Sequence, residues 1–203
     1  NSEIVAVVLA VPAELHSSLA IKALKAGKHV YVEKPLATSK NDALEMIKEA
    51  KENNVHLMVG HLLQYHPIFI KLKEMISKND FGELQYIYSN RMSFGKLRSF
   101  EDVIWSFAPH DISMMLALSK SEVDSVRAEK FYGLQENICD IATIHLTFKS
   151  GLRGHIQVSW LNPVKDNKLV VIGTKGMAIF DDTQEWNRKL KFLNHSIDLS
   201  KTT

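Results

Sequence analysis

The sequence predicts an α/β chain: the C-terminal half of a doubly wound parallel domain, followed by an α+β domain with a large, mainly antiparallel open sheet. Three observations carry the prediction. Ile4 to Val11 is an unbroken apolar run rich in β-branched residues, the pattern of a strand buried on both faces of a parallel sheet. From there to Gly60, strand and helix patterns alternate with short connections, which implies right-handed crossovers with helices laid on the sheet. Beyond Gly60 the apolar period shifts towards two, with hairpin turns between the runs.

Each element has its own signal. Pro12 ends the first strand. From Glu14 onward Leu15, Leu19, Ala20, Ala23 and Leu24 recur at helical spacing, and Gly27 offers a left-handed cap. His29 to Val32 is a second strand. Ser39, with Asp42 three residues on, resembles a capping box for a helix lined by Ala43, Ile47 and Ala50. His56 to Val59 is the third strand. The next helix runs from about Pro67 to Ser77 and carries Ile68, Leu72, Met75 and Ile76; the Asp80-Phe81-Gly82 turn then opens a strand from Leu84 to Met92. A helix from about Pro109 to Leu118 precedes a strand from Glu122 to Tyr132. Ile138 to Phe148 and Leu152 to Trp160 form a hairpin about Lys149-Ser150-Gly151, its second arm alternating between a core face (Leu152, Gly154, Ile156, Val158, Trp160) and a polar one (Arg153, His155, Gln157, Ser159). Leu169 to Ile172 and Met177 to Phe180 pair about Gly173-Thr174-Lys175-Gly176. The expected domains are 1–61 and 62–203, with no internal repeat and no low-complexity linker.

Composition narrows the function. The 203 residues are 45% hydrophobic and 24% charged, as in ordinary globular chains. The 25 basic and 23 acidic residues are spread along the length, so no basic block points to nucleic acid or a membrane surface. A small neutral or anionic ligand fits better. The single cysteine, Cys139, makes no internal disulfide, no stretch reads as a targeting segment, and the longest apolar run falls far short of the roughly 20 residues of a membrane span. A reducing cytoplasm is the expected address. Asn1-Ser2-Glu3 leads straight into an apolar strand without an initiator methionine, so the chain is expected to start in mid-domain.

Ligands of open parallel sheets bind beyond the carboxyl ends of the strands, which here means Pro12 to His16, Glu33 to Pro35 and Gly60 to Gln64. Lys34, between Glu33 and Pro35, has its backbone set by the sheet and is placed to protonate or orient a carbonyl or hydroxyl oxygen. A lone strand-end lysine is more often simply solvated, so position alone does not decide. His110, in Ala108-Pro109-His110-Asp111, sits at the start of a predicted helix, where the dipole disfavours the cation and leaves a neutral proton acceptor; the alternative is a histidine bonded to a carbonyl beneath the sheet. A metal is not expected, since neither His61 with His66 nor His110 with Asp111 gives a zinc-type spacing. No serine shows a nucleophile-elbow pattern, and Cys139 reads as a packing residue within a strand. His145 and His155 fall on polar strand faces, solvated or at a subunit contact.

Ala6-Val7-Val8-Leu9-Ala10-Val11-Pro12, His16, the run from Ala23 through Gly27-Lys28-His29-Val30-Tyr31-Val32-Glu33-Lys34-Pro35-Leu36-Ala37, and Val59-Gly60-His61 resemble the glucose-fructose oxidoreductase/inositol dehydrogenase (Gfo/Idh/MocA) family. The likeness continues in Gly82-Glu83-Leu84, Trp105 to Asp111 and Gly173-Thr174-Lys175-Gly176, and within the family it is most similar to dehydrogenases of UDP-N-acetylhexosamine-type sugar nucleotides.

The resemblance implies a two-domain oxidoreductase. NAD or NADP would lie across a Rossmann domain, with a sugar, polyol or nucleotide sugar between the nicotinamide and the sheet domain. Lys34 then matches the family's catalytic lysine and His110 its second-domain histidine. Pro12, His16, Glu33, Lys34 and Gln64 would meet the cofactor; Tyr65, Arg91, Trp105, Ser106 and Asp111 would meet the substrate, Arg91 through its planar fork. A homodimer or homotetramer through the open sheet face is implied. Two departures stand out. Ser106 occupies the place four residues before the histidine where the family often has aspartate, leaving Asp111 and Asp102 as candidates to replace it. No G-x-G-x-x-G occurs in the 203 residues, so the chain is expected to lack the first part of the Rossmann domain and a closing C-terminal segment, and to bind dinucleotide weakly by itself. The competing expectations are a non-catalytic ligand sensor or regulator of the same fold, and an assembly module acting through its sheet.

Overall fold

The computed structural model of the chain describes residues 1–95, 98 and 101–195; the end of the expected second domain, 196–203, lies outside the described residues. The chain divides into two compact units, Asn1–Leu62 and Leu63–Thr203.

In the first unit, β1 (Ala6–Leu9), α1 (His16–Lys25), β2 (His29–Val32), α2 (Lys40–Glu52) and β3 (Leu57–Val59) follow one another, and the strands pair in parallel in the order β1-β2-β3. Apolar side chains at period two and period 3.6 meet on one face. Leu9, Val30 and Val32 from the strands pack with Ala20, Leu24, Met46 and Ala50 from the helices. The capping box forms: Ser39 Oγ accepts from the Asp42 amide at 3.1 Å and donates to the Asp42 carboxylate at 2.7 Å. Gly27 closes α1 at φ +70°, where a side chain would be strained. The other sheet face carries Val8, Tyr31 and Met58 in register and has no helix on it among the described residues; Val8 is 70% and Met58 41% exposed. The first strand is therefore buried on one face only, where the sequence predicted both.

The second unit contains α3 (Pro67–Ser77), β4 (Leu84–Phe94), α4 (Val103–Ser119), β5 (Val123–Phe131), β6 (Ile141–Phe148), β7 (Arg153–Ser159), β8 (Leu161–Gly173), β9 (Gly176–Asp181) and β10 (Leu190–Asn194). The seven strands form one sheet in the order β10-β9-β8-β4-β7-β6-β5, antiparallel except for the central β4–β7 pair. Phe69 and Leu72 of α3 and Met114, Met115 and Leu118 of α4 pack with Ile87, Ile156, Val158, Trp160 and Leu169 of the sheet. Asp140 locks the edge of this core. Its carboxylate accepts from Trp160 Nε1 at 2.6 Å and from the Gly133 and Leu134 amides at 2.8 Å each. Burial raises this carboxyl, but those three N–H groups outweigh it and hold the group below the ordinary 3.8.

α3 has the expected limits because Pro67 occupies its first turn and His66 Nδ1 accepts from the Ile68 amide at 3.2 Å. α4 differs. Asp102 caps it through a 3.0 Å bond from the Trp105 amide, so the helix starts at Val103 and Pro109 lies inside it. β10 was not anticipated, and Cys139 sits buried just before β6 rather than within a strand.

Candidate active site

The three parallel strands of the first unit bring their carboxyl ends together, and Pro12, His16, Glu33, Lys34 and His61 collect there. The Glu33 amide still donates to Leu9 O at 3.0 Å and the Gly60 amide to Val32 O at 2.8 Å, so the sheet fixes the backbone up to the residue before Lys34 and the residue before His61. Tyr31 hydroxyl donates to Glu33 Oε1 at 3.1 Å. Gly60 lies against this pair: a methyl there would stand 2.5 Å from the Tyr31 hydroxyl and 3.1 Å from Glu33 Oε2, so a side chain at this position would displace the Tyr31–Glu33 pair. Lys34 is half-buried, and its peptide bond to Pro35 is cis.

His16 is almost completely buried at the first residue of α1. Its Nδ1 lies 2.7 Å from Pro35 O and its Nε2 2.9 Å from Val11 O. Both ring nitrogens are turned to backbone, whereas exposed Pro12 is open to a ligand. His61 is the residue the sequence reading left unassigned. Burial, and then the Lys34 ammonium, push its imidazole below the ordinary 6.5, which leaves it neutral at pH 7. Its Nδ1 is buried with no hydrogen-bond partner among the described residues. The signal was in the sequence, since His61 follows the third parallel strand as Lys34 follows the second.

In the second unit the candidates group about α4. Arg91, on β4, donates through Nε to Asp111 Oδ2 at 2.6 Å and through Nη2 to Oδ1 at 3.3 Å. The fork expected to meet an anionic ligand is thus engaged by Asp111, which is itself buried. Asp102 is similarly committed, to the Trp105 amide and to Lys130 at 3.4 Å, so neither aspartate is a spare acid for His110. His110 is the eighth residue of α4 and lies beyond the first turn, where the dipole acts; the dipole argument for its neutrality does not apply. Ser113 hydroxyl donates to His110 O at 2.8 Å, and Gln64 Nε2 donates to Ser113 O at 2.8 Å. That amide nitrogen serves α4. Ser106 is buried beneath the helix, while Trp105 and Tyr65 are exposed, with 45% and 60% of their surface open to a ligand.

Among the described residues no three His, Cys, Asp or Glu side chains cluster as metal ligands, and no helix is long and apolar enough to cross a membrane.

Comparison with known proteins adds an independent line. Residues 1–61 match the profile of an oxidoreductase family with an NAD-binding Rossmann fold, and residues 69–179 match the GFO/IDH/MocA C-terminal domain. The chain is 28% identical over 199 residues to UDP-N-acetylglucosamine 3-dehydrogenase of Acidithiobacillus ferrooxidans, covering 98% of this chain and 59% of that protein. Myo-inositol 2-dehydrogenase of Thermotoga maritima is 30% identical over 181 residues, covering 84% and 54%. The solved structure of the Acidithiobacillus enzyme superposes with a TM-score of 0.84 at 26% identity, covering 100% of this chain and 66% of that one. The chain spans somewhat over half the length of the curated relatives it matches.

Proposed function

The chain belongs to the Gfo/Idh/MocA oxidoreductase family, and from that membership we propose that the protein transfers hydride between a sugar, polyol or nucleotide-sugar hydroxyl or ketone and NAD or NADP. The observation that carries the proposal is Lys34, set at the carboxyl end of a parallel strand beside Glu33 and the neutral His61. These groups fit the nicotinamide end of a dinucleotide: a carboxylate for a ribose hydroxyl or carboxamide, a cation for the substrate oxygen, and a buried imidazole nitrogen in need of a partner. The pyrophosphate has no glycine-rich turn to receive it among these residues.

NAD(P), when bound, would accept or deliver the hydride. In reduction the Lys34 ammonium gives a proton to the carbonyl oxygen as hydride arrives, and in oxidation the same side chain, as the neutral amine, takes the hydroxyl proton as hydride departs. His110 is the second group of this kind, and exposed Trp105 and Tyr65 supply apolar surface against a sugar or base. The same reading places the protein in the cytoplasm as a homodimer or homotetramer, joined through the sheet face that carries Tyr86, Tyr88, Ile172 and Ile179 and has no helix over it among the described residues.

Turnover of UDP-N-acetylglucosamine or myo-inositol with NAD+ in Lys34→Met tests the reaction. It should fall by about 10²–10⁴-fold with substrate affinity kept; unchanged turnover rejects the role of Lys34. A sensor without turnover is favoured by one feature, Ser106 with Asp102 and Asp111 both committed elsewhere. Binding of both the dinucleotide and the sugar without turnover would decide for it.

A further inference from the structure

We propose that His16 is the positioning residue for Lys34, and that it acts as a backbone staple rather than as a contact to the cofactor. The inference rests on Lys34 being the proton-handling group described above.

The geometry brackets the lysine. On its amino side, the Glu33 amide is held to Leu9 O at 3.0 Å, the last ladder bond between β2 and β1. On its carboxyl side, Pro35 O is held by His16 Nδ1 at 2.7 Å. Lys34 is the single residue between two fixed points, so its Cα and the root of its side chain are set on both sides. The other ring nitrogen reaches Val11 O at 2.9 Å, in the segment that leaves β1. One imidazole therefore sets a ring nitrogen at hydrogen-bond distance from each of two of the three loops that emerge from the carboxyl end of the sheet.

Neither carbonyl has an alternative of equal quality. Both lie past the ends of their strands, and Pro35 interrupts the amide pattern that would let the chain bond locally. His16 is 1% exposed, so its ring exchanges neither bond for water. The ring is also directional. Both partners are carbonyl oxygens and only accept, so each bond needs an N–H on the ring nitrogen that faces it, and an amide side chain in its place would reach only one of them. No ring edge is left over for a cofactor, since both nitrogens face backbone.

The test uses the chain itself and does not depend on turnover. Nitrogen-15 spectra of the His16 ring in the unmutated protein should show a slowly exchanging ring N–H hydrogen-bonded to a carbonyl; a ring that titrates and exchanges like a solvated imidazole overturns the proposal. His16→Phe keeps a ring and removes its N–H donors, and His16→Asn keeps a side-chain N–H donor. In His16→Phe the amides of Glu33, Lys34, Leu36 and Ala37 should exchange about ten-fold faster, as expected for one buried hydrogen bond lost. The pH midpoint for acylation of Lys34 should also move, with His16→Asn intermediate. A general loss of packing would speed exchange without moving that midpoint, so a fixed midpoint in the folded variants overturns the proposal too. Failure of the hydride-transfer reading would show instead as unchanged turnover in Lys34→Met, with the His16 readouts intact.

Discussion

The two units use the same materials to different ends. The seven-stranded sheet of the second unit closes a core with α3 and α4, and the buried carboxylate of Asp140 at its edge is matched by three N–H donors. The three-stranded sheet of the first unit is covered on one face among the described residues, and its candidate site lies at the ends of its strands, where the Glu33 and Gly60 amides bond to neighbouring strands. The units thus differ in emphasis: one has the larger core, and the other displays a lysine and a histidine at the ends of its strands.

The comparison breaks most easily at the second unit's core. Trp160→Ala removes a fully buried indole and the donor to Asp140, and should cost about 3–5 kcal/mol in urea unfolding followed by probes in β7. Probes in β2 should report an unchanged transition; a shared shift would mean that the units unfold as one. Asp140→Ala leaves the Trp160, Gly133 and Leu134 N–H groups without their acceptor and should cost about 2–3 kcal/mol by the same measurement.

Acid sharpens the contrast. His61 in the first unit and His155 in the second are both held below 6.5, His155 by burial and then by His145 opposite it. Between each folded value and 6.5 the unfolded chain binds more protons, so stability is complete above 6.5 and declines as the pH falls through the folded values. A second decline below 3.8 follows from Asp140 and Asp181. Lys34→Met should move the His61 midpoint up towards 6.5, read from its ring carbon resonances, and leave His155 unmoved. The smallest effect is expected at the uncovered face: Val8→Thr should change stability by within about 0.5 kcal/mol, because the side chain is already in water.

Much of this was legible in the sequence where the signal was local. The parallel unit read correctly because each strand is a short apolar run bounded by Pro, Gly or a cap, and α3 because Pro67 follows a capping residue. Errors arose where a local sign had two meanings. Pro109 reads as a first-turn proline, while Asp102, seven residues before it, is the true cap. Leu190–Asn194 is a brief edge strand after a polar stretch and offers too little period to stand out. Arg91 and Gln64 carry groups suited to ligands, and only the fold reveals that Asp111 and Ser113 engage them. The parallel neighbour of β4 is β7, a pairing between distant segments that no local pattern announces.

The outer side of β1 has a practical consequence. It is an edge strand, its backbone groups on that side are unpaired among the described residues, and Val8 stands beside them in water. Such an edge is a template for another extended segment. The outer side of β1 is therefore where a further strand would extend the sheet, and a lysine introduced among the apolar residues of that edge would oppose the addition.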